Sequence, residues 1–182
     1  MKISTLACVV AASACASSVH AGLMGTFDVG SGGKAASLQL DFENGNTWLA
    51  TVRWDGSLNG FQALQMVTAG VSGGQLQFQS FSFGKFVTGI GVGGDWQYGE
   101  GDLWPVENWW HYWTAESTGA WTSSMIGAED RLLQDGSRDA WVFGSGAEPA
   151  TVPAAGAAWL AGLWCTRGRR RNPADRSAIV SA

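Results

Sequence analysis

Cysteine is absent between Gly22 and Ala150, and histidine is reduced there to His111. The first absence excludes disulfide stapling, and the two together exclude a zinc-type cluster or a Cys–His nucleophile. Basic residues are scarce as well: Lys34, Arg53, Lys85, Arg131 and Arg138 stand against fourteen Asp or Glu in the same stretch. An acidic region of this kind lacks the basic footprint that nucleic acid or anionic lipid requires. No apolar run reaches the roughly 20 residues of a membrane span. The region from Gly22, about 130 residues, suffices for one core but not for two domains.

What is present lies first at the two ends. Lys2 precedes an uncharged, apolar or small run from Ile3 to Ala16, and Val19-His20-Ala21 offers a cleavage site. This is the pattern of a secretory signal peptide over residues 1–21, cut after Ala21. Cys8 comes too early for a lipid-attachment site, and Ala12-Ser13-Ala14-Cys15 lacks the large aliphatic residue such a site carries. At the other end Glu148-Pro149-Ala150-Thr151-Val152-Pro153 leads into an apolar segment, Ala154 to Cys165, and then Arg167, Arg169, Arg170 and Arg171. Twelve apolar residues make about 18 Å of helix, against a hydrocarbon core near 30 Å. Basic residues directly after an apolar stretch fit retention on the cytoplasmic side.

Spacer, short apolar segment and Arg cluster together resemble the PEP-CTERM sorting signal in its Val-Pro-Ala variant, over residues 148–171 with the apolar part at about 151–166 and a polar tail at 172–182. That resemblance implies export by the secretion translocon, cleavage by signal peptidase and transient anchoring in the inner membrane. An exosortase-type transpeptidase then acts on the tail, and the product resides at the cell surface or outside the cell. A retained C-terminal anchor is the other reading of the same tail.

The exported region, 22–147, reads as mostly strand. Leu38, Leu40 and Phe42 alternate with Ser37, Gln39 and Asp41, and a second alternation around Leu76 to Phe83 changes face near Ser80, as a bulge would produce. Thr47–Trp54, Phe86–Val92, Trp109–Thr114, Ala120–Ser123 and Ala140–Phe143 are further β-branched or aromatic runs. Asn44-Gly45, Asp55-Gly56, Gly93-Gly94-Asp95 and Asp135-Gly136 supply turns. From Asn59 to Ala69, Phe61, Leu64 and Val67 recur at helical spacing, with Asn59 as N-cap, Gln62 at the capping-box position and Gly70 as terminator. One helix among strands predicts an α+β fold.

Aromatics crowd one stretch: Trp104, Trp109, Trp110, His111, Tyr112, Trp113 and Trp121. As a strand, this segment puts Trp109, His111 and Trp113 on one face and Trp110 and Tyr112 on the other. One face supplies core. The second needs a cover or a ligand, and Trp109, His111, Trp113 and Trp121 are the candidate ligand-binding residues, suited to stacking on a sugar ring or flat cofactor. Trp109 to Trp113, Gly119, Gly127-Ala128, Leu132 to Gly136 and Trp141-Val142-Phe143 are similar to the closing half of the transcobalamin C-terminal-like domain, and the likeness extends over residues 47–144. It implies a β-grasp-like mixed sheet wrapped on one main helix, in a family associated with ligand or protein binding. No residue here carries that family's corrinoid over.

Catalysis has little to build on. Once His20 leaves with the signal peptide, a Ser-His-Asp triad has only His111 to use, with Ser117, Ser123 or Ser124, and no nucleophile elbow surrounds any of them. Glu107 and Glu116 are acids among many. The acidic stretch Asp95 to Asp102, with Glu100, reads as a solvated loop whose oxygens lack EF-hand spacing for calcium. The expectation is a noncatalytic, surface-sorted envelope or matrix protein with an unidentified surface or matrix partner, no cofactor, no metal and no nucleic acid. The alternatives are a glycan- or cofactor-binding module and a surface hydrolase.

Overall fold

The computed structural model describes residues 22–102 and 107–152. The signal peptide with Ala21, the residues 103–106 including Trp104, and the tail with Pro153, Arg167, Arg169, Arg170, Arg171 and its apolar segment lie outside the described residues. The chain divides into two units between Thr151 and Val152, and the sheets and helix belong to the first.

Nine strands and one helix make up the described residues: β1 (Gly22–Gly30), β2 (Lys34–Asp41), β3 (Asn46–Trp54), α1 (Gly60–Gly70), β4 (Gln75–Phe81), β5 (Gly84–Val92), β6 (Asp95–Tyr98), β7 (Trp110–Glu116), β8 (Thr122–Ser123) and β9 (Ser137–Phe143). The fold is α+β, with two sheets. The larger has the order β1-β3-β2-β9-β7-β8, and the smaller is the meander β4-β5-β6. The larger is mixed: β1 runs parallel to β3 and β9 parallel to β2, while the other neighbours are antiparallel.

Alternation decides which side chains face inward. Ala36, Leu38 and Leu40 of β2 meet Val52, Ala50 and Trp48 of β3 on one face, where α1 adds Phe61, Leu64 and Val67. Val87, Ile90 and Val92 of β5 reach the same cluster, as do Trp110, Trp141 and Phe143 of β7 and β9. Both sheets therefore bury one face in a single core around the helix. The helix begins as its sequence dictates: Asn59 Oδ1 accepts from Gln62 N at 2.7 Å, and Gln62 Oε1 accepts from Asn59 N at 3.0 Å. Two further first-turn donors are met by the 128–131 loop, Gly60 N to Arg131 O and Phe61 N to Ala128 O.

Four details differ from the sequence expectation. β1 is a strand where none was expected, because Gly22 and Gly25 interrupt its alternation and its outer edge is exposed. Asp95–Tyr98, read as loop, pairs as β6 with β5. The irregularity in β4 lies between Gln77 and Phe78, with Thr88 of β5 as the extra residue, rather than at Ser80. The helix takes in Gly70 and is capped by Val71.

Candidate functional site

β7 separates its aromatics as the alternation predicts. Trp110 and Tyr112 turn inward, Trp110 edge-on to Phe42 and Phe143 and Tyr112 stacked on Trp141 with centroids 4.7 Å apart. His111 and Trp113 occupy the outer face. Trp109, just before the strand, leans on the His111 ring at 5.1 Å. His111 Nε2 lies 2.7 Å from Gly144 O and 3.7 Å from Glu107 Oε2. Trp121 lies under the Arg138 guanidinium, 4.6 Å from the ring centroid. Trp109, His111, Trp113 and Trp121 are thus all half-buried, and the chain after β9 folds back over this face: Pro149 is buried and Ala150 is hydrogen-bonded to Asp41. Glu148 is exposed, and Val152 is the last described residue.

The open aromatic face is on the smaller sheet. Its register places Gln75, Gly91 and Trp96 in one row across β4, β5 and β6, and Gln77, Gly89 and Tyr98 in the next. Trp96 is 40 % exposed and Tyr98 45 %. The glycines make this geometry possible. A Cβ on Gly89 would come 2.5 Å from the Trp96 ring, and one on Gly91 would come 2.9 Å from it. The indole therefore lies down over a floor without side chains, one face on the backbone and the other to solvent. The same face dips into an open depression of about 410 Å³ whose lining includes Gln77, Gln79, Thr88, Tyr98 and Glu100.

Polar groups border the rings. The Tyr98 hydroxyl donates to Glu100, and Gln79 Nε2 donates to the same carboxylate oxygen at 2.9 Å. That bond, burial and the negative charges of Glu100 and Asp102 hold the phenol pKa above its usual value, so the hydroxyl stays protonated. Asp95, the first residue of β6, accepts from Trp48 Nε1 at 2.7 Å, Asn46 Nδ2 at 2.9 Å and Asn44 Nδ2 at 3.1 Å. Burial raises its pKa, but these donors outweigh that effect and the carboxyl titrates below its usual range. Asp95 is occupied as a structural acceptor that ties β6 to the β2–β3 turn.

Among the described residues no three His, Cys, Asp or Glu side chains converge on a metal-sized site, and no helix is long and apolar enough to cross a membrane. Glu116 pairs with Arg131 at 2.7 Å, and Ser124 Oγ donates to Ile126 O at 2.8 Å. Trp96 and Tyr98 are not among the aromatics that crowding in the sequence singles out. The signal that would have found them is glycine at alternate positions of β5, Gly89 and Gly91, followed by the alternation Asp95-Trp96-Gln97-Tyr98. Comparison with known proteins returned no matching family model, curated protein or solved structure.

Proposed function

We propose that this chain is an exported, surface-sorted, noncatalytic protein of the cell envelope or extracellular matrix that binds glycan on the Trp96–Tyr98 face. The observation that carries the binding reading is the pair of Gln–Gly–aromatic rows, with ring faces open to solvent. A pyranose offers an apolar C–H face and a rim of hydroxyls. A flat indole with a neighbouring phenol meets the first, and amide and carboxylate groups from Gln75, Gln77, Gln79 and Glu100 meet the second. Export and sorting rest on the signal-peptide pattern at residues 1–21 and the tail pattern at 148–171.

The fold reading that accompanies this function is β-grasp. In its support, the hairpin β2–β3 leads into α1, β9 lies parallel to β2 at the sheet centre, and β7 and β8 extend the other side. On this reading β1 is an added edge strand and β4-β5-β6 is an insertion between helix and β7 that carries the binding face.

The test is a titration of the full chain with a panel of soluble polysaccharides, followed by Trp fluorescence. At least one glycan should shift the emission and be recovered chemically unchanged. Trp96→Ala should weaken binding about fivefold, the worth of one stacked ring at roughly 1 kcal/mol. Gly89→Ala, which lifts the indole off its floor without removing a ring, should weaken it similarly. The binding reading fails if no glycan binds, or if binding survives Trp96→Ala unchanged.

A further inference from the structure

The outer face of the larger sheet carries a polar group of unusual depth. Gln39 and Asp41 of β2 are each 6 % exposed, and Thr47, directly opposite Asp41 on β3, is 1 % exposed. Asp41 Oδ1 accepts from Thr47 Oγ1 at 2.7 Å, and Gln39 Nε2 donates to both carboxylate oxygens, at 3.0 Å and 2.9 Å. The remaining capacity of the group is directed at one residue more than a hundred positions away. Asp41 Oδ2 accepts from Ala150 N at 2.8 Å, and Gln39 Nε2 donates to Ala150 O at 2.9 Å. Both backbone polar atoms of Ala150 are thereby satisfied by side chains standing on a sheet face, and Pro149 beside it is buried.

We propose that Gln39, Asp41 and Thr47 form a peptide-backbone binding site whose resident ligand is the chain's own Pro149–Ala150 segment. The ligand class is an extended peptide with proline followed by a small residue that has a free amide. Thr47 and Gln39 hold the carboxylate in place before the ligand arrives. The donor–acceptor pair presented to the ligand reads backbone, so a second proline at the Ala150 position is rejected for want of an N–H. Asp41 has reason to hold its occupant: a buried carboxylate that loses a donor bears the full desolvation cost. Gly144 and Gly146, at φ of 93° and 64°, turn the chain back from β9 onto the sheet. So short a tether gives the segment an effective concentration on the order of millimolar, and it outcompetes the same peptide in solution. Where the tail is processed as a sorting signal, Pro149 and Ala150 are withheld from the enzyme while the site is filled.

The experiment uses the full chain in four forms together with a labelled synthetic peptide spanning Glu148 to Val152. In the wild type the Ala150 amide should exchange with solvent slowly, and Asp41→Asn should accelerate it at least tenfold while core amides of β2 and β9 stay protected. Ala150→Pro leaves the sheet intact and vacates the site, so the peptide should bind this variant and not the wild type at the same submillimolar concentration. Adding Asp41→Ala to Ala150→Pro should abolish that binding. Unchanged Ala150 exchange in Asp41→Asn would overturn the proposal. So would equal peptide binding to the single and double variants, or none to Ala150→Pro.

Discussion

Asp139 sits 1 % exposed beneath the first turn of α1, where a Cβ on Gly60 would come 3.0 Å from its carboxylate. Tyr112 donates to one of its oxygens, and Arg131 Nε lies 3.7 Å from the other, which has no hydrogen-bond partner. Burial pushes the carboxyl from 3.8 up to about 6, against the lowering effects of the Tyr112 bond and Arg131. The folded chain thus holds this proton more tightly than the unfolded chain. The contribution of Asp139 is full below pH 3.8, declines as pH rises towards 6 and is flat above it. A rise from 3.8 to about 6 corresponds to about 3 kcal/mol as an upper figure. Asp139→Asn should remove this component: between pH 4 and pH 7 the variant's unfolding free energy should change relative to wild type by about 1–3 kcal/mol in its favour. Urea unfolding at the two pH values measures it, and parallel behaviour of the two proteins would exclude the assignment.

The helix is the element whose cause is most local. Asn59→Ala removes one arm of the capping box and should cost about 1 kcal/mol, read as a lower urea midpoint with an unchanged slope. All of that was legible: Asn59, Gln62 and the Phe61–Leu64–Val67 spacing lie within nine residues. β2 was legible for the same reason, since its alternation is written in its own residues, and β3, β5 and β9 were legible as β-branched or aromatic runs. β1 was not, because a Gly-interrupted edge strand takes its structure from pairing with β3 rather than from its own pattern. The site divides in the same way. The aromatic surplus at β7 is plain in the sequence, but His111 on its outer face is bonded to Gly144 and the same chain runs on to Asp41 of β2, and a contact spanning 109 positions leaves no periodic trace. Trp96 and Tyr98 escaped notice because their exposure depends on Gly89 and Gly91 in the adjacent strand.

The described sheets and helix hang on one core, since Leu64, fully buried on α1, belongs to a cluster fed by both sheets. Leu64→Ala should cost about 2–5 kcal/mol. Its loss should lower the midpoint reported by Trp96 fluorescence on the small sheet and by far-ultraviolet circular dichroism together, as one cooperative unit requires. Separate midpoints would mean that the small sheet unfolds on its own. A mechanical consequence follows from the hairpin between residues 41 and 48. Its Asn44, Asn46 and Trp48 grip Asp95 at the start of the aromatic strand, and its Asp41, which Thr47 holds, accepts from the Ala150 amide. Tension applied between a ligand seated on Trp96 and Thr151 would load this turn and its hydrogen bonds together with the pairing of β6 on β5. In a pulling experiment between those points, Asp95→Ala should lower the rupture force, while Leu64→Ala should lower it far less.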